Sequence, residues 1–79
     1  MNNSEEKVFE LVVTEAEYND RESSQSLDAY ISVRFAQYAG KLGHQGWKVY
    51  DAVTKWGKDV DDAFAGDDDV VLRYWCTRF

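Results

Sequence analysis

Seventy-nine residues with a formal net charge of −6, from fifteen acidic and nine basic side chains, leave room for one small domain and no second. The acid excess disfavours nonspecific binding to nucleic acid or anionic lipid, which need Lys and Arg near phosphates, but it suits a basic partner protein. A lone cysteine, Cys76, excludes an internal disulfide framework and fits a reducing compartment, while aromatic residues at 15% supply the bulk that so short a chain needs for a core.

Met1 to Glu6 is polar and is expected to fray. Neither a membrane-spanning apolar run nor a charged-then-apolar leader is present, so a cytoplasmic location is expected. Lys7 to Ala16 alternates as a strand, with Phe9, Leu11 and Val13 on one face and Val8, Glu10 and Val12 on the other. Glu17 to Gln25 turns polar and is expected to be a connection.

Ser26 is placed to cap a helix, and Asp28 suits the positive end of its dipole. Leu27, Ile31, Phe35, Tyr38 and Leu42 then recur at helical spacing, one apolar stripe running to about Leu42. Gly43 is expected just past the end, in the left-handed conformation that glycine takes without strain. Trp47 to Trp56 is a second strand, with Trp47, Val49, Asp51 and Val53 against Tyr50, Ala52, Thr54 and Trp56.

Gly57 to Asp69 is an acidic loop, the least regular stretch, in which Asp59 to Ala65 is expected to form one helical turn joining Val60 and Phe64. Val70 to Phe79 is the last strand, and both of its faces are bulky. The sequence therefore implies an α+β fold, ordered β-α-β-β: a three-stranded, mainly antiparallel sheet with one amphipathic helix packed on one face. The last two strands are expected to pair antiparallel, and the rest of the strand order stays open.

Leu42-Gly43-x-x-Gly46-Trp47-x-Val49 resembles the signature of a small family of unknown function found in bacteria and their phages. Its members run strand, helix, this motif and further short strands, and usually carry Glu where Lys48 stands. The resemblance implies a fold and no reaction. On physical grounds the motif is a structural corner: Gly43 lets the chain leave the helix, Gly46 turns it back, and Trp47 covers the bend.

Chemistry has few bearers. The only histidine, His44, sits on that turn, and Cys76 lies mid-strand where an inert buried thiol is usual, so a thiolate–imidazole couple is a minor alternative. One Cys and one His do not fill a zinc site, and no phosphate-binding glycine loop occurs. No catalytic residue, metal or cofactor is assigned.

The anomaly is the acidic loop, where Asp59, Asp61, Asp62, Asp67, Asp68 and Asp69 stand against Lys58 alone. Its spacing does not match the twelve-residue calcium loop. It suits instead a partner-binding patch, with Trp56 and Phe64 as apolar anchors. The sequence thus points to a non-enzymatic acidic domain that binds a host protein with a basic surface. An accessory or inhibitor protein of a phage, with the loop imitating DNA phosphates, is the most concrete form. Direct binding to nucleic acid or membrane is not expected. The alternative is a homodimer through an aromatic sheet face built from Arg73, Trp75 and Phe79, with Tyr50 or Trp56.

Overall fold

Alternating apolar residues draw three strands into one sheet. The computed structural model describes residues 4–21, 24–60 and 65–78. Within them β1 spans Glu5–Val13, β2 Lys48–Trp56 and β3 Val70–Arg78. The order across the sheet is β1-β3-β2 and both pairings are antiparallel, so the last strand is central. The bulk on both faces of that strand suits a central position. Val70, Leu72, Tyr74 and Cys76 are buried on one side, and Val71, on the other, is 2% exposed.

β1 begins at Glu5, inside the stretch expected to fray, because β3 holds it: Glu5 pairs with Arg78, whose Nε lies 3.3 Å from the Glu5 carboxylate. Beyond β1 the chain makes a short helix, α1 (Glu15–Asn19), where the sequence predicts only strand end and connection. Thr14 caps it, its hydroxyl accepting from the Glu17 N–H at 3.1 Å.

The long helix, α2 (Leu27–His44), starts as expected, with the Ser26 hydroxyl accepting from the Ala29 N–H at 3.1 Å. Glu17 ties the two helices together. Its Oε2 accepts from the Tyr30 hydroxyl at 2.6 Å and from Arg34 Nε at 2.8 Å.

The exit of α2 differs from expectation. The helix continues through Gly43 to His44, and Gly46, at φ 87°, is the left-handed residue. The Trp47 N–H donates to the Leu42 carbonyl and the Gly46 N–H to the Gly43 carbonyl, both at 3.0 Å. Those paired bonds are a Schellman closure, and the apolar contact that accompanies one joins Leu42 and Trp47, both members of the core cluster. Gly46 needs its glycine for conformation; Gly43 is an ordinary helical position with open space where a Cβ would go.

β2 also departs from simple alternation. Val49 pairs with Cys76 and Asp51 with Trp75, leaving Tyr50 as the extra residue of a bulge. After it the faces invert relative to expectation. Val49 shares the helix-facing side with Ala52, Thr54 and Trp56, while Asp51, Val53 and Lys55 turn to the other.

α2 covers one face. Tyr74, fully buried, stacks on Phe35 at 4.8 Å and tilts against Tyr38 at 5.2 Å. Its hydroxyl donates to the Phe35 carbonyl at 2.9 Å, and burial pushes its pKa up to about 12. Each such ring pair adds about 1 kcal/mol beyond the area it buries. No helix among the described residues is long and apolar enough to cross a membrane.

Candidate functional site

β1 leaves the sheet, β2 leaves it and β3 enters it at one end, because Val70 pairs with both Val13 and Trp56. That end gathers α1, the 3-10 turn Gly57–Asp59 and the turn Gly66–Asp69 beside the start of α2. Trp56, last residue of β2 and 38% exposed, stands on the helix-facing side. It walls an open groove of about 310 Å³ whose lining includes Leu27, Asp28, Ile31, Thr54, Lys55 and Val70.

Of the acidic residues singled out by sequence, Asp59, Asp67 and Asp68 are exposed at this end. Asp61, Asp62 and Phe64 lie outside the described residues, as does the expected contact of Val60 with Phe64. Asp69 is different. Its Oδ1 accepts from the Glu15 N–H at 2.7 Å and its Oδ2 from the Gly66 N–H at 2.8 Å. Its backbone carbonyl accepts from the Gly57 N–H at 2.7 Å. Asp69 therefore holds α1, the turn and the exit of β2 in one knot, and its carboxylate is engaged within the fold.

Gly57 belongs to the same knot. A Cβ there would lie 2.0 Å from the Gly66 carbonyl oxygen, so the two chain segments approach too closely for any side chain. The Tyr18 hydroxyl closes the other side, donating to the Asp68 carbonyl at 2.9 Å.

The charge left over is concentrated. The Glu15 carboxyl is held above its ordinary pKa, first by a hydrogen bond with Asp68 and then by the charge of that residue. The Tyr18 phenol is pushed up too, by burial and then by the charges of Glu15 and Asp68. Neighbouring carboxylates contribute to both shifts, after the hydrogen bond at Glu15 and after burial at Tyr18. Glu15, Tyr18 and Gly57 were not marked by the sequence as parts of a site. The pair Thr14 and Glu17 signals α1, but nothing local signals that Asp69 reaches Glu15.

The other candidates separate. Trp56 faces the helix side of the sheet, so it is not part of an aromatic open face. Tyr50, 55% exposed, sits at the bulge, and Phe79 lies outside the described residues. The open face carries the half-buried Trp75 and an Arg73–Glu10 ion pair at 2.8 Å. Cys76 is fully buried on the helix-facing side and burial pushes its thiol pKa up, whereas His44 is exposed in the last turn of α2. Among the described residues no group of three or more His, Cys, Asp or Glu is arranged to hold a metal ion. No family model, curated protein or solved structure gives a significant match to this chain.

Proposed function

We propose that this chain is a non-catalytic binding domain whose acidic end engages a basic surface on a partner protein. The observation that carries the reading is the coincidence, at one end of the sheet, of a partly exposed Trp56 on an open groove with the exposed carboxylates of Asp59, Asp67 and Asp68. An aromatic anchor beside a charged rim is the composition of an interface hot spot, and the rim charges speed the encounter. The Glu15 carboxyl, held above its ordinary pKa by the hydrogen bond and then the charge of Asp68, supports a crowding of carboxylates there. A protein that ordinarily grips DNA phosphates offers the complementary chemistry, and an accessory or inhibitor protein of a phage acting in a host cytoplasm is the form that fits best.

Asp69 drops out of the contact set because its carboxylate holds the fold. The test uses the tagged chain to capture protein from lysate at low and high salt, beside Asp67→Ala/Asp68→Ala and Trp56→Ala. A partner held at low salt, released at high salt and lost by the double variant is expected. Trp56→Ala should weaken it by about thirtyfold. Equal capture by all three proteins would overturn the reading.

A further inference from the structure

We infer that the outer edge of β1 is a self-association edge, on which a second copy of this chain pairs its own β1 antiparallel about a two-fold axis centred on Phe9. The two edges of the sheet are unlike. β2 is interrupted by the bulge at Tyr50, and α2 lies closer to it than to β1. A bulge twists an edge away and breaks its row of free backbone groups. β1 instead runs in unbroken register with β3 from Glu5 to Val13, with no bulge and no proline, and among the described residues no strand pairs with its other side. Its apolar residues are incompletely covered: Phe9 and Leu11 are half-buried, and Val8 is 47% exposed.

The occupant follows from the pattern of charge. Glu5, Glu6 and Lys7 occupy the first part of β1, and Leu11, Val12 and Val13 the last. Antiparallel pairing centred on Phe9 sets Glu5 opposite Val13, Glu6 opposite Val12, Lys7 opposite Leu11 and Val8 opposite Glu10. No charge then stands directly opposite a like charge, Glu6 and Glu10 being diagonal neighbours, the paired residues share a face, and the whole strand is used. Phe9 meets Phe9 across the axis, with each Lys7 ammonium already held over its own Phe9 ring at 5.0 Å. The product is a continuous six-stranded sheet with both long helices on one face.

The proposal does not depend on the acidic end, and salt separates the two. Copies carrying −6 each repel, so added salt tightens this dimer while it loosens a basic partner. The test is sedimentation equilibrium over a range of concentrations, with backbone amide exchange along β1, on the wild type, Val8→Glu and Val8→Lys. The wild type is expected to dimerise with concentration-dependent protection of β1. Val8→Glu places like charges opposite Glu10 twice per dimer and should weaken it by about tenfold, whereas Val8→Lys places opposite charges there and should retain or tighten it. A wild type that stays monomeric, a dimer that leaves β1 exchange unchanged, or variants with equal effects would each overturn the proposal.

Discussion

At Leu42–Trp47 the chain leaves a helix by bonds among near neighbours: Trp47 and Gly46 donate to Leu42 and Gly43, and two apolar side chains cover the result. Where Gly57 meets Asp69, the turn Gly66–Asp69 is held from far away in sequence, by Glu15 and Tyr18 of α1. Both corners depend on one glycine, but for different reasons. Gly46 needs a backbone conformation, at φ 87°, while Gly57 needs the absence of a side chain against the Gly66 carbonyl. The first corner is closed by its own backbone bonds and is packed into the core through Leu42 and Trp47. The second spends one of its aspartates on closure and leaves its neighbours charged and exposed, and a binding surface can be made from those.

The contrast can be broken by substitution, beginning with the largest effect. Trp47→Ala removes a side chain 8% exposed that packs edge-on against Phe9 at 5.2 Å and carries the Arg78 guanidinium at 4.2 Å. A loss of about 3–5 kcal/mol is expected in denaturant unfolding. A loss below roughly 1 kcal/mol would mean that the corner is not part of the core. Gly57→Ala comes next, at about 1–3 kcal/mol, because a backbone carbonyl must move to admit the methyl.

The glycines of the local corner should respond in opposite directions. Gly46→Ala forces a Cβ into the left-handed region and should destabilise by about 1 kcal/mol. Gly43→Ala adds a methyl to open space in a helix and should stabilise by about 0.5–1 kcal/mol. Equal responses in thermal unfolding would restore Gly43 as the helix stop.

The smallest effect concerns pH. Because Asp68 raises the Glu15 pKa, the protonated form favours the fold. That contribution is complete below the ordinary value of 4.5 and disappears as pH rises through the elevated one. Glu15→Gln should flatten the pH dependence of the unfolding midpoint in that window, and a slope identical to the wild type would contradict the Glu15–Asp68 contact.

What the residues disclosed follows the same division. Ser26 and the stripe from Ile31 to Leu42 are local signals, and both appear where periodicity and capping place them. The alternation of Val70, Leu72, Tyr74 and Cys76 likewise marks a wholly buried face. The short helix α1 had a local signal in Thr14 and Glu17, but five residues give no periodicity to notice. Tyr50 carries no mark of a bulge, and its extra residue inverted the expected faces for the remainder of β2. Asp69 looked like one more member of an acidic run. Its role depends on Glu15 arriving from 54 residues away, and only the strand order brings that about.

The central claim is that this acidic run is divided, with Asp69 holding the fold through two backbone N–H groups, and with Asp67 and Asp68, the latter beside the Glu15 carboxyl, exposed to a partner. Denaturant unfolding of Asp69→Ala beside Asp67→Ala/Asp68→Ala tests it most directly. The account predicts a loss of about 2 kcal/mol for Asp69→Ala, from two backbone N–H groups left without their carboxylate, and a change within about 0.5 kcal/mol for the pair. Equal losses, or a larger loss from the pair, would contradict it.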